Sequence, residues 1–331
     1  MHPSLCLIII TIVFALGFDF LNGFHDAANS IATVVSTRVL KPHWAVLWAA
    51  FFNFLAFAFF GIKVASTIGT GLIDPAIINT EMIFAALLGA IVWNIFTWYV
   101  GLPSSSSHAL IGGLLGAGIA KAGLAPLKWF GIFKVLAAIV ISPLLGFILG
   151  SILMFLVMRF CFDFTPTRID QWFRRLQLAS SAFISLGHGG NDAQKTMGII
   201  AVLLFSSGYL GKQFYIPLWV VLSCYFVIAL GTFLGGWRIV KTMGMRITKL
   251  KPVGGFCAET SSALTLFLAT ALGIPVSTTH TITGSIVGVG SLHGAAAVRW
   301  GVARSIVWAW VLTIPASGIV AALAWWVMQA A

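Results

Sequence analysis

The chain has 331 residues, of which 60% are hydrophobic and only 8% charged, and its mean hydropathy is +1.02. No soluble domain of this length needs so apolar a composition for its core, which excludes a water-soluble globule and leaves an all-α polytopic membrane protein. The net charge of +11 does not call for nucleic acid, because the bases fall in the loops, where membrane topology puts them.

A span needs about 20 apolar residues. In chain order such runs are expected at residues 4–35, 43–66, 80–101, 130–158, 178–206, 215–237, 258–274 and 305–329, with shorter ones at 105–120 and 277–292. The first is too long for a signal peptide and contains Asp19 and Asp26, so it reads as a retained span. Arg38 and Lys41 follow the first span, Arg159, Arg168, Arg174 and Arg175 the fourth, and Arg238, Lys241, Arg246, Lys249 and Lys251 the sixth. Arg299 and Arg304 precede the last. The positive-inside rule assigns these to the cytoplasm, which leaves both termini outside and puts Lys121, Lys128 and Lys134 on the external side. Cys6, Cys161, Cys224 and Cys257 lack metal-ligand spacing, and no disulfide framework is expected.

The two halves echo each other. A shift of 166 positions lays Asp26 on Asp192, His25 on Asn191, Gly23 on Gly189 and Asn29 on Lys195. Pro103-Ser104-Ser105-Ser106-Ser107-His108 is matched by Pro275-Val276-Ser277-Thr278-Thr279-His280, Trp129 by Trp300 and Pro143 by Pro315. Landmarks in the same order at nearly the same offset mean an internal duplication. The expected organisation is a first repeat over residues 1–160, a basic cytoplasmic linker over 161–177 and a second repeat over 178–331. Each repeat has three net spans plus a helix-hairpin carrying the Pro-Ser/Thr motif, so the second is inserted upside down relative to the first.

Asp19, Asn22, Asp26, Asn29 and Thr33 are spaced 3, 4, 3 and 4, which places all five on one face of a helix. Ser185, His188, Asp192 and Lys195 repeat that spacing. An ionisable residue at membrane depth costs at least about 2.5 kcal/mol and is normally found facing a pathway or a partner. Asn22, Asn29 and Ser30 also fit ordinary bonding between helices, and Gly23, Gly189 and Gly190 fit either close packing or a loosened helix that bares backbone groups.

After each Pro, a Ser or Thr is a good N-cap, so 105–120 and 277–292 are expected to be half-helices beginning in a cluster of hydroxyls. Unpaired N–H groups and the positive end of the helix dipole make such a start an anion site. Ser104, Ser105, Ser106 and Ser107 in one half, and Ser277, Thr278 and Thr279 in the other, can donate to an oxyanion. Discontinuous helices at corresponding places in two inverted halves point to a transporter's binding site. A protonated phosphate can donate its own hydrogens to Asp26 and Asp192, whereas a fully deprotonated anion would be repelled. Carrying a dianion inward against roughly 100 mV costs about 4.6 kcal/mol, which co-transported cations must offset. No P-loop sequence is present, so an ion gradient is the expected driver.

Asn22-Gly23-Phe24-His25-Asp26-Ala27-Ala28-Asn29, His188-Gly189-Gly190-Asn191-Asp192-Ala193-Gln194-Lys195 and Pro275-Val276-Ser277-Thr278-Thr279-His280 resemble the signatures of the inorganic phosphate transporter (PiT) family. The resemblance covers both halves and implies secondary transport of inorganic phosphate through inverted repeats, by a homodimer in the inner membrane of a bacterium, with no cofactor and no enzymatic step. It implies a substrate set of Asp26, Asn29, Ser104, Ser105, Ser106, Ser107, Asn191, Asp192, Gln194, Lys195, Ser277, Thr278 and Thr279. Asp26, Asp192, His25, Asn22 and Glu259 are the coupling-ion candidates. Sodium-coupled members usually carry Asn where this chain has His25, and Lys195 stands where Asn29 predicts an Asn. Both departures resemble the bacterial low-affinity branch, associated with protons as the coupling ion and with phosphate carried as a neutral complex with a divalent metal. Proton symport is therefore expected, with sodium symport as the alternative.

A sulfate permease is the nearest rival, ranked lower because sulfate has no proton to give Asp26 and Asp192 at neutral pH. A membrane-embedded hydrolase using a serine among 104–107 with His108 is a different class, disfavoured because neighbours on one helix turn rarely place a hydroxyl on an imidazole. A passive channel would not need two buried acids.

Overall fold

In the computed structural model the described residues, 5–330, form twelve α-helices and no β-strand. Residue 4, where the first span is expected to start, and residue 331 lie outside them. The first half runs α1 (Leu5–Ser36), α2 (Pro42–Leu55), α3 (Lys63–Thr70), α4 (Thr80–Val100), α5 (Ser106–Ala122) and α6 (Trp129–Phe160). The second runs α7 (Pro166–Ser206), α8 (Leu218–Leu234), α9 (Trp237–Lys241) leading into a π-turn over Thr242–Arg246, α10 (Pro252–Ala271), α11 (Thr278–Ser291) and α12 (Trp300–Ala330). One order therefore occurs twice: a long helix, a bent pair, a hairpin arm, a half-helix and a second long helix. Trp129 and Trp300 open α6 and α12, and Pro143 and Pro315 lie inside them.

By length and composition α1, α4, α6 and α12 can each cross a membrane, and the two bent pairs raise the number to six. The run expected as one span at 43–66 is broken within its length, whereas that at 215–237 holds α8 and ends where the chain turns. The chain turns by 83° between residues 42–58 and α3, and by 60° between α8 and the segment 237–246. The break falls around Gly61, a residue that weakens a helix interior without by itself forcing an 83° turn. The break is supported from elsewhere, because the Gln194 side chain accepts from the first-turn amides of Val64 (2.9 Å) and Ala65 (3.2 Å). These are N–H groups that a fresh helix start would otherwise leave unpaired. Residues 166–177, expected as linker, are instead the opening turns of the 41-residue α7, which starts on Pro166, and α10 likewise starts on a proline, Pro252.

The two hairpins are built alike. α4 and α10 stop at turns containing Gly101 (φ 73°) and Gly273 (φ 69°), left-handed positions that favour glycine. Ser105 and Ser277 then cap α5 and α11 by accepting from the backbone N–H of His108 and His280, each at 3.2 Å. Each turn is fastened by the bent pair of the opposite half. Thr242 donates to the Gly101 carbonyl (3.0 Å) and Arg238 to that of Tyr99 (2.5 Å). Thr67 donates to Gly273 (2.8 Å) and Lys63 to Ala271 (3.0 Å). Cations at the last carbonyls of α4 and α10 also complement the negative ends of those helices.

The long helices exchange partners: α5 packs on α12, and α11 on α6. Small residues permit the approach. A Cβ on Gly112 or Gly116 would strike the α12 backbone at Ile314 or Gly318, and one on Gly284 or Gly288 would strike α6 at Pro143 or Phe147. Gly146 and Gly150 face Thr281 and Ser285 of α11, so the four-residue glycine spacing joins helices within this chain. Gly23 and Gly231 do the same between α1 and α8, and Gly189 abuts Asn53, so close packing rather than a loosened helix accounts for these glycines. The outward faces of α6 and α12 expose Phe133, Ile148, Phe155, Val311, Ile319 and Trp326, a surface suited to lipid.

Gly116→Leu is expected to lower the melting temperature of the detergent-purified protein and its folded yield, costing at least about 1–3 kcal/mol by overpacking. Gly17→Leu, in α1 with open space around it, should leave both unchanged.

Candidate functional site

The polar faces of α1 and α7 meet at the starts of α5 and α11. Asn22, Asp26 and Asn29 of α1, Asp192 and Lys195 of α7, and Ser106, Ser107, Thr278 and Thr279 of the half-helices are all at most 2% exposed. The Ser106 hydroxyl lies within donating distance of Asp26 Oδ2 (2.6 Å) and Asn22 Oδ1 (2.5 Å). Thr279 donates to Asp26 Oδ1 at 3.3 Å, and Thr278 to Asp192 Oδ2 at 3.0 Å. Asn29 Nδ2 is shared between the hydroxyls of Thr278 (2.9 Å) and Thr279 (3.0 Å). Lys195 Nζ pairs with Asp192 Oδ1 and also donates to Ser107 Oγ (2.5 Å) and the Val276 carbonyl (2.8 Å). Both half-helix starts are thus tied to the two carboxylates. The Asn22 amide nitrogen and the Asn29 amide oxygen have no hydrogen-bond partner among the described residues, which leaves one buried donor and one buried acceptor in the cluster.

Each acid has an imidazole beside it. His25 Nδ1 is 2.7 Å from Asp26 Oδ1, and its Nε2 reaches Thr97 Oγ1 (3.1 Å) and Ser104 Oγ (3.4 Å). His188 Nε2 is 3.3 Å from Asp192 Oδ2, while its Nδ1 lies 3.2 Å from Asn53 Oδ1. Asn53 in turn donates to Thr232 at 2.8 Å. Further along the α1 face, Thr33 (2.5 Å) and Gln177 (2.9 Å) donate to Glu259 Oε1, and Ser180 (2.5 Å) to Oε2. At the other end Asp19 accepts from Thr196 at 2.9 Å. The seam therefore runs along α1 from Asp19 to Thr33, buried throughout.

Several residues expected at the site have other work. The Gln194 side chain is turned onto α3, where two amides need an acceptor. Asn191 donates to Thr270 (3.0 Å) and the Ile274 carbonyl (3.4 Å), at the end of the second hairpin's first arm. Ser105 and Ser277 are helix caps, and Ser104 bonds Thr97 (2.9 Å) beside His25. The His108 ring packs edge-on against His280 (4.7 Å between centroids), which stacks on Trp310 at 3.8 Å, and neither nitrogen of His108 has a hydrogen-bond partner among the described residues. His108 therefore pairs with none of serines 104–107, which removes the pairing on which the hydrolase reading was built. Thr97, Asn53, Thr232, Gln177 and Ser180 enter the network without having been singled out in the sequence. Stepping back by fours along α7 from Ser185 through Ser181 reaches Gln177, the one pattern that points to any of them.

A model of the phosphate transporter family matches residues 22–321. The chain belongs to the phosphate transporter family. It is 64% identical over 312 residues to a probable low-affinity inorganic phosphate transporter of Rhizobium meliloti, covering 94% of this chain and 93% of that one. A relative of the same description from Bacillus subtilis is 45% identical over 332 residues, covering 99% of each. Among solved structures, one described as the sodium-dependent phosphate transporter aligns with a TM-score of 0.89 at 26% identity, covering 98% of this chain and 100% of that one. Membership in this family sets the chain among transporters and not enzymes.

Replacing Glu259 by alanine strands Thr33 and Gln177, while Ser180 keeps the Gln177 carbonyl at 3.2 Å, and each unsatisfied buried donor costs about 1–3 kcal/mol. Glu259→Ala should therefore melt well below the parent protein in detergent, with Glu259→Gln, which keeps one acceptor, falling between them.

Proposed function

We propose that this protein imports inorganic phosphate by proton symport, binding it where the starts of α5 and α11 face Asp26 and Asp192. The observation that carries the reading is the convergence of two half-helix N-termini, with the hydroxyls of Ser106, Ser107, Thr278 and Thr279, on a pair of buried carboxylates. The N-termini and hydroxyls suit the oxygens of an anion, and the carboxylates suit its acidic hydrogens. A substrate that both accepts and donates satisfies both sets, and partly protonated phosphate does so where sulfate at neutral pH does not. The Asn22 amide nitrogen and Asn29 amide oxygen add one donor and one acceptor for the same cargo.

The coupling proton is assigned to the His25–Asp26 pair. The two groups are 2.7 Å apart, and a proton held between them neutralises charge that phosphate entry would otherwise meet. The twice-repeated element order and the exchanged packing of α5 and α6 support two repeats, residues 1–160 and 178–331, of inverted topology, with the basic loops cytoplasmic and both termini outside. Alternating access would then be a rocking of one repeat against the other. Sodium symport is the second reading, favoured by the fold's likeness to a transporter described as sodium-dependent. Phosphate complexed with a divalent metal is a second form of cargo for the same site. A homodimer is the expected assembly, to be read from its mass in detergent.

Labelled phosphate uptake into proteoliposomes tests this directly. A proton gradient should drive uptake without sodium, excess sulfate should not compete, and Asp26→Asn and Asp192→Asn should each reduce uptake about hundredfold or more, as expected for groups that both bind cargo and set site charge. Uptake driven by sodium alone would replace the proton assignment with the second reading. Adding magnesium in parallel reactions distinguishes the two forms of cargo.

His25→Asn is expected to retain phosphate binding but to weaken the stimulation of uptake by an imposed proton gradient, measured as initial rate with and without that gradient.

A further inference from the structure

The residue pair Asn29 and Lys195 breaks the symmetry of the two halves where their counterparts are most alike. Asn29 donates across to the second hairpin, at Thr278 and Thr279, and Lys195 donates across to the first, at Ser107. One half places a neutral amide at this position and the other a full positive charge. The surroundings of that charge are informative. Lys195 is 1% exposed, and its Nζ is held by three oxygens from three separate segments: the Asp192 carboxylate, the Ser107 hydroxyl (2.5 Å) and the main-chain carbonyl of Val276 (2.8 Å) just before α11. A carboxylate, a hydroxyl and a main-chain carbonyl exposed at a helix interruption form an all-oxygen set of the kind that coordinates a small monovalent cation in broken-helix transporters. An ammonium is a compact point charge that presents N–H donors to such a set.

The charge count fits the same role. Atoms of Asp26, His188 and Asp192 come within 4.8 Å of one another, so two carboxylates share one small buried volume. Without a cation between them, that volume would repel both its own second charge and any anionic cargo. Lys195 removes one of the two negative charges before any ion arrives.

We infer that the Lys195 ammonium is a tethered substitute for one coupling cation, occupying through its side chain a monovalent-cation position between α7 and the two half-helices, and so freeing transport from sodium at that position. This rests on the phosphate-transport reading, and its uptake assay on the proton assignment, whereas its melting assay needs neither. It differs from a structural ion pair in one checkable respect. A merely structural Lys195 would, once removed, cost stability that no particular ion restores. A tethered cation would, once removed, leave a site that a free ion can refill.

The experiment compares the parent protein with Lys195→Asn and Lys195→Met in two assays, each in sodium chloride and in choline chloride of equal ionic strength. One is the melting temperature of the purified protein in detergent. The other is uptake of labelled phosphate by proteoliposomes under a fixed proton gradient. The parent should respond to sodium in neither assay. Lys195→Asn, which leaves the three oxygens and adds an amide oxygen, should lose about tenfold or more of its uptake in choline, recover most of it in sodium, and melt higher in sodium than in choline. Lys195→Met, which fills the volume with an apolar chain, should remain inactive in both salts while still folding as judged by a cooperative melt. The inference is overturned if Lys195→Asn transports in choline as well as the parent, if it folds but responds to sodium in neither assay, or if Lys195→Met transports normally. Should the parent protein take up no phosphate under any gradient, the functional reading fails instead, and the melting comparison still judges the cation site by itself.

Discussion

The structure depends on how two carboxylates are kept in the middle of an apolar protein. Asp26 and Asp192 are buried, close together and on facing helices, an arrangement that would be strongly unfavourable without compensation. The compensation comes from groups that themselves require a partner: hydroxyls at two helix starts, one lysine and two imidazoles. No single pair accounts for it. Every oxygen of the two acids is approached by a donor, from α5 and α11 for Asp26 and from α7 itself and α11 for Asp192, so the cluster ties α1, α7, α5 and α11 to one another while neutralising the site. Packing contributes the converse constraint. Where helices meet through glycine the backbones approach closely, and this brings side chains as short as serine and threonine within reach of the acids.

Much of the cluster could be read from the sequence because it obeys local rules. The 3, 4, 3, 4 spacing on α1 puts Asp19, Asn22, Asp26, Asn29 and Thr33 on one face whatever surrounds the helix, and all five are buried. The Pro-Ser and Pro-Val-Ser motifs announce helix starts by local chemistry, and the caps are at Ser105 and Ser277. The duplication supplied the rest, since two copies of a weak motif at one offset are more specific than either alone.

What was not legible depends on contacts distant in sequence. The run from residue 43 to 66 has the composition of one span, yet it breaks at Gly61, and Gln194, about 130 residues away, supplies the acceptor that the new helix start needs. The same contact turns Gln194 onto α3 and not toward the two carboxylates, beside which its motif had suggested it would sit. Residues 166–177 look like a hydrophilic join by charge alone, but charge does not distinguish a loop from a helix emerging into water, and Gln177 within it reaches Glu259. The glycines of the two signatures carried two local meanings, and only the neighbour across the interface, Ile228 for Gly23 and Asn53 for Gly189, decides between them.

The exchanged packing of the half-helices has a consequence for how the protein is made. α5 lies against α12, and its turn at Gly101 is fastened by Arg238 and Thr242, so when the first hairpin leaves the ribosome it has its packing on α1 but neither its long partner helix nor the groups that fasten its turn. At about 5–20 residues per second, its final neighbour appears on the order of ten seconds or more later. During that interval a polar half-helix with open N–H groups must be shielded from lipid by the insertion machinery or by water. Premature release into the bilayer, before α12 is synthesised, is accordingly the step at which biogenesis of this fold is most exposed to failure.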